Sequence, residues 1–205
     1  EALRENDDEV ELQVCEWHRD EWYGAMVMRD SRLAELWEQG QLCDIEVVAG
    51  GETFKAHRIV LAACSEFMQS LLTGPVQWRD STGPLTLPDV DPSAFSTVLT
   101  WMYRGYVSVD RAALPAIFHA ATLLQIATLQ AAAEENVIAL LRRGQMDPIE
   151  WWHTADALHL QTLRDAAMVA ALAKFDHVVA SPDFLEASPI FVKALLADDR
   201  LHSPE

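Results

Sequence analysis

Basic residues are scarce: 15 Lys and Arg stand against 32 Asp and Glu, a formal net charge of −17 over 205 residues. Such a chain lacks the cationic surface that neutralises phosphates, so direct binding to nucleic acid or to an anionic membrane is not expected. Cysteine is scarcer still. Cys15, Cys43 and Cys64 are odd in number, far apart and without a CxxC pair, which fits free thiols in a reducing cytoplasm or nucleus better than a disulfide framework. No apolar run approaches the ~20 residues of a membrane span, and no signal peptide is visible. The chain opens on Glu1 rather than methionine, the expectation for a piece of a longer protein whose targeting segment could have been removed. Short catalytic motifs are missing as well: there is no Gly-rich phosphate loop, no Gly-x-Ser-x-Gly elbow and no HExxH. The partners of such a chain are expected to be proteins.

Half of the residues are hydrophobic, enough for one large domain or two small ones to build real cores. Glu1 to Asp8 has too little apolar content to pack. Val10, Leu12 and Val14 then alternate with polar neighbours at the strand period, and Trp17, Trp22 and Tyr23 are large surfaces expected to pack against this chain or a second copy. Leu33, Leu36 and Trp37 recur at helical spacing between Ser31 and the stop at Gly40.

The chain is organised around residues 41 to 65. Ile45 and Val47, then Phe54, form two short apolar runs separated by Gly50-Gly51, a dipeptide that permits the positive φ angles of a tight hairpin turn. From Ile59 the period becomes helical through Leu61-Ala62, Phe67-Met68 and Leu71-Leu72, with a break near Cys64-Ser65. Residues 73 to 84 read as a loop, and Leu85-Thr86-Leu87 as a short strand. Asp91-Pro92 supplies an N-cap carboxylate and a first-turn proline for a helix carrying Phe95, Val98, Leu99 and Met102 and ending at Gly105. Pro115 places the regular part of the next helix from about Leu114, and Leu129 to Leu141 is a further helix. After Gly144-Gln145-Met146, Asp147-Pro148 repeats the cap, and Trp151, Ala155 and Leu158 begin a second helical unit. Leu163, Ala166, Ala167 and Ala170 form another stripe, and Ser181-Pro182 and Ser188-Pro189 open two more helices.

These blocks resemble a known family in their order. Cys43-Asp44-Ile45, Phe54-Lys55-Ala56-His57-Arg58 and Val60-Leu61-Ala62-Ala63-Cys64-Ser65-Glu66-Phe67 are similar to the opening of a BTB/POZ domain. Leu87-Pro88-Asp89-Val90 through Ala94-Phe95 to Trp101-Met102-Tyr103 is similar to its later strand and helix, and residues 120 to 125 to the helix after that. Residues 154 to 163, 175 to 178, 181 to 188 and 195 to 201 resemble a BACK domain. The fold class implied is α+β, a BTB/POZ fold with a small three-stranded sheet flanked by helices, followed by an all-α region of BACK helical hairpins. The expected domains are an N-terminal acidic and strand segment, 1–24, a BTB/POZ domain, 25–143, and a partial BACK domain, 144–205.

The resemblance implies a non-enzymatic adaptor that needs no cofactor. It would dimerise with itself, bind the N-terminal region of a cullin-three scaffold, and bring to a ubiquitin ligase a protein substrate held by a domain outside these residues. The alternative is a dimerising scaffold or transcriptional regulator without cullin binding. The dimer interface, formed in part by strand exchange, is expected at Val10, Leu12, Val14, Leu33, Leu36 and Trp37. The cullin contact is expected at Phe67, Met68, Leu72, Trp78 and Asp80, with Trp151 and Trp152 in play from the first BACK helix. Asp44, His57 and Arg58 are expected in the core, Asp44 and Arg58 as a buried charged pair or as members of one hydrogen-bond network. His153, Asp156 and His159, three apart on a helix, could supply at most part of a metal shell, and Asp156 reads better as a structural hydrogen-bonding residue. Cys64 reads as a small buried hydrophobe.

Overall fold

The computed structural model describes residues 9–13, 32–74 and 83–202. The Val14 strand end, the Trp17 to Tyr23 aromatics, Trp78 and Asp80 lie outside them. The chain divides into two compact units, Glu1–Ala133 and Glu134–Glu205.

In the first unit, strand β1 (Glu9–Gln13) and helix α1 (Arg32–Glu38) precede a hairpin of β2 (Ile45–Ala49) and β3 (Glu52–Ala56). Gly50 and Gly51 take φ values of 53° and 91°, so the two-residue turn pairs Ala49 with Glu52 and Val47 with Phe54. A side chain at Gly50 would also meet the Pro92 ring at 2.6 Å, so glycine is required there twice over. Strand β4 (Leu85–Leu87) adds parallel to β2, giving the order β3-β2-β4. Val47 and Ala49 are fully buried beneath this three-stranded sheet, and Glu46 faces solvent.

Helices α2 (Arg58–Cys64) and α3 (Glu66–Thr73) follow the hairpin. They break at Ser65, whose hydroxyl accepts the Met68 N–H at 3.0 Å and donates to the Leu124 carbonyl. Helix α4 (Pro92–Arg104) is capped by Asp91, whose carboxylate accepts the Ala94 N–H at 3.0 Å, and ends at Gly105 with φ 72°. It buries Phe95, Val98, Leu99, Trp101 and Met102.

The sequence reading had no strand after Gly105. Tyr106–Asp110 nevertheless forms β5, which pairs antiparallel with β1, Val10 opposite Val109 and Leu12 opposite Val107. A single 3₁₀ turn, Arg111–Ala113, then leads into α5 (Leu114–Leu123), so Pro115 sits in the first helical turn where it removes no intrahelical bond. Helix α6 (Ala127–Arg143) begins in this unit.

The second unit is helical: α7 (Pro148–Ala157), α8 (Gln161–Ala173), α9 (Phe175–Ala180), α10 (Pro182–Glu186) and α11 (Pro189–Leu196). Asp147 caps α7 through the Ile149 N–H at 2.9 Å, and Ser188 caps α11 through the Phe191 N–H at 3.2 Å. Trp151, Trp152 and Ala155 of α7, Leu163, Ala167 and Ala171 of α8, and Phe191 and Leu195 of α11 form the core. The Trp152 and Phe191 rings meet edge-on at 5.3 Å.

Glu150 on α7 is a built-in cost to this unit. Burial, then the negative charges of Asp147 and Asp183, holds its carboxyl above the usual carboxylate range. A pKa raised by folding contributes stability below the unfolded value and loses it as pH rises through the folded one. Glu150→Gln is therefore expected to raise the thermal midpoint at about pH 7 by roughly 1–3 °C, a small shift because the group is largely solvated, and to gain nothing at about pH 4. Thermal unfolding at the two pH values checks this; an unchanged or lower midpoint at neutral pH contradicts it.

Candidate interaction surfaces

One hydroxyl organises the first unit's interior. The buried Tyr103 oxygen accepts the His57 backbone N–H at 2.8 Å and lies 2.7 Å from His57 Nδ1. His57 Nε2 lies 3.0 Å from the Gln41 carbonyl, which can only accept. Nε2 therefore carries the proton, Nδ1 accepts, and the Tyr103 O–H donates to it. All groups in this chain of bonds are satisfied, and burial holds the Tyr103 hydroxyl well above its ordinary pKa. The Trp37 ring stacks on Tyr103 at 4.4 Å with 2° between planes, and its Nε1 donates to the Lys55 carbonyl at 3.1 Å.

His57 is thus a core residue, whereas Asp44 and Arg58 share hydrogen bonds rather than a buried charge pair, the Arg58 Nε donating to the Asp44 carbonyl at 3.4 Å. Asp44 is exposed, and its Oδ1 accepts the backbone N–H of Arg58 at 2.7 Å. Arg58 opens α2, and the preceding His57 makes no side-chain cap bond. Asp44 therefore caps α2 from a distant loop, a role worth about 1 kcal/mol and far below the 3–5 kcal/mol of a broken buried ion pair. The two described thiols, Cys43 and Cys64, are both held toward the protonated form. Burial pushes Cys64 up to about 12 and, followed by the Asp44 charge, raises Cys43.

The expected interface residues divide. Val10 and Leu12 are buried by pairing with the chain's own β5, so in this structure they face inward rather than a second subunit. Leu33, Leu36 and Trp37 are partly exposed on α1, with Trp37 turned onto Tyr103. Among the described residues of the unit the most exposed large apolar side chains are Leu42 at 79%, and Ile59 at 74%, which the helical period counts with the apolar stripe. The chain segments that bear them are joined, since the Gln41 carbonyl meets His57 and the Asp44 carboxylate meets the Arg58 N–H. A signal existed. Ile59, Val60 and Leu61 are three consecutive apolar residues on a helix turning about 100° per residue, and a one-sided helix cannot bury all three.

The expected cullin contact divides in the same way. Phe67 and Leu72 are half-buried on α3, whereas Met68 is fully buried and belongs to the core. Trp151 and Trp152 are also interior, packed within the helical unit, and are not available to a partner. Of the three residues weighed for metal, His153 accepts the Ser188 N–H at 3.4 Å and packs on Trp152 and Phe191, Asp156 pairs with Arg164 at 2.8 Å, and His159 is exposed. Among the described residues no group of three or more His, Cys, Asp or Glu is placed to hold a metal ion, and no helix is long and apolar enough to cross a membrane.

Comparison with known proteins follows these units. The family described as BTB/POZ domain matches residues 33–141, and the one described as BTB And C-terminal Kelch matches residues 148–205. Kelch-like protein 31 of Danio rerio is 27% identical over 173 residues, covering 84% of this chain and 26% of its own length. Kelch-like protein 26 of Mus musculus is 27% identical over 177 residues, covering 83% of this chain and 28% of its own. The chain thus spans about a quarter of the length of these relatives. A solved structure, the BTB domain of zebrafish PATZ1, is similar at 25% identity and a TM-score of 0.48, over 56% of this chain and 91% of that one.

Tyr103→Phe keeps the ring stack but leaves the buried His57 amide and Nδ1 without their partner. A loss of about 2–3 kcal/mol is expected, seen as a midpoint lower by roughly 5–10 °C. An unchanged midpoint in thermal or urea unfolding would show that the network contributes nothing.

Proposed function

Since the chain belongs to the BTB/POZ family and carries a BACK segment behind that domain, we propose that it is a protein–protein adaptor that pairs with a second copy and recruits a cullin-three ubiquitin ligase. The succession of BTB/POZ and BACK matches along one chain carries the reading. Leu33 and Leu36 with the exposed Leu42 and Ile59 are the self-association surface; Trp37 belongs to the helix that bears it. Phe67 and Leu72, followed along the chain by Trp78 and Asp80, meet the N-terminal region of the cullin. The protein substrate is carried by a domain outside these residues. The strongly acidic composition and the raised thiols agree with an adaptor that works by contact, in the reducing cytoplasm or nucleus.

Self-association is read by sedimentation at micromolar concentration. The wild-type chain is expected to run as a dimer and Ile59→Asp as a monomer with an unchanged circular dichroism spectrum, since that side chain is 74% exposed. A wild type that runs only as a monomer would remove the dimer.

Cullin binding is read by calorimetric titration with the purified N-terminal cullin-three fragment. An aromatic anchor is worth roughly 2 kcal/mol, so Phe67→Ala is expected to weaken binding about thirtyfold, with thermal unfolding run in parallel to show that the fold persists. Binding indifferent to both Phe67 and Leu72 would move the contact elsewhere. No binding at tens of micromolar would leave a dimerising scaffold or transcriptional regulator in its place.

A further inference from the structure

Helix α1 has only seven residues and none of them is buried, although such a short helix is marginal in water by itself. Something outside it must hold its shape. Beside the partial burial of Leu33, Ala34 and Leu36, its side chains make two ionic, ring or hydrogen-bond ties to the rest of the unit among the described residues. Glu38 pairs with Arg104, but both are partly exposed, and such surface pairs are weak. The other tie is Trp37, which lies flat on Tyr103 at 4.4 Å and donates Nε1 to the Lys55 carbonyl at 3.1 Å. One side chain thus joins α1 to the helix bearing Tyr103 and to the edge strand β3.

We propose that Trp37 is a latch: it docks α1 on the folded unit as a separate step, and thereby positions Leu33 and Leu36 for a second copy of this chain without itself being a contact between copies. The docking step is argued from the geometry alone, whereas its consequence for association rests on the dimer reading above. Behind the latch, the His57–Tyr103–Gln41 bonds are complete without Trp37, so removing the indole leaves the core network its partners.

Hydrogen exchange followed by mass spectrometry tests this on the full chain. The Ile59→Asp background is used so that a second copy cannot supply protection. Trp37→Ala is expected to speed exchange over residues 32 to 38 by tenfold or more while the 45 to 56 hairpin keeps its protection, and Trp37→Phe, which can still stack, to restore most of it. Unchanged exchange in α1, or loss of protection in the hairpin as well, overturns the latch. Without the Ile59 change, Trp37→Ala is expected to weaken dimerisation in sedimentation and Trp37→Phe to recover it. Dimerisation lost in Trp37→Phe while α1 stays protected would make Trp37 a direct contact and overturn the positioning role. If the wild-type chain is a monomer, the dimer reading fails and the exchange result still decides the latch.

Discussion

A single phenolic hydroxyl has to be both acceptor and donor in the middle of the first unit. Its oxygen takes the His57 backbone N–H, and its proton goes to His57 Nδ1, which is available only because Nε2 keeps its own proton for the Gln41 carbonyl. The tautomer of one histidine is therefore set by a backbone oxygen sixteen positions away in sequence. In a low-dielectric interior such a chain of bonds is worthwhile only when every member is satisfied, since an orphaned donor costs more than a typical bond contributes. Three separate stretches, the turn after α1, the entry to α2 and the end of α4, are tied together by this demand. Nothing polar in it is left for chemistry.

Because the interior ties these elements together, the apolar side chains left outside acquire meaning. Helix α2 buries Val60, Leu61 and Cys64; with about 100° per residue, Ile59 points almost opposite to their mean direction. It follows directly on Arg58, whose N–H the Asp44 carboxylate caps. The Asp44 cap and the Gln41–His57 contact tie the loop that carries Leu42 to the start of α2, and backbone already ordered in this way lowers the cost of any association at such a surface. Helix α1 is tied differently, through Trp37 on Tyr103 and the Lys55 carbonyl and through Glu38 on Arg104.

Local chemistry made much of the fold legible in the sequence. The Gly50-Gly51 turn, the Asp91-Pro92 and Asp147-Pro148 helix starts and the Ser65 break all satisfy backbone groups with residues adjacent in sequence, and each appears where the pattern placed it. What was not legible depends on long-range partners. Tyr106, Val107 and Val109 carry the strand period, but five residues after a helix stop say little until β1 pairs with them. Trp151 and Trp152 illustrate the second limit, since an aromatic at helical spacing packs equally well on its own domain or on a partner, and only Phe191 and Leu195, about forty residues on, settle it as core. Asp44 illustrates a third. An acid and an arginine in one motif read as an ion pair or a shared network, and only the fold shows that the carboxylate takes the arginine's backbone N–H while the Arg58 Nε reaches the Asp44 carbonyl.

Leu42 combines two features that single-chain stability would not select together. Its φ of 58° lies in the left-handed region, where a residue with a β-carbon carries a strain of about 1 kcal/mol or more that glycine would avoid. Its side chain is also 79% exposed, so no burial within the chain offsets the strain. The strain has a local cause: Gly40 at φ 64° and the bonds from Gln41 N–H to Leu36 and from Asp44 N–H to Ala56 turn the chain from α1 into β2 within a few residues. That accounts for the backbone but not for leucine, since glycine or asparagine would make the same turn at less cost. The leucine side chain is thus not required by the turn, and among the described residues neither it nor Ile59 is covered.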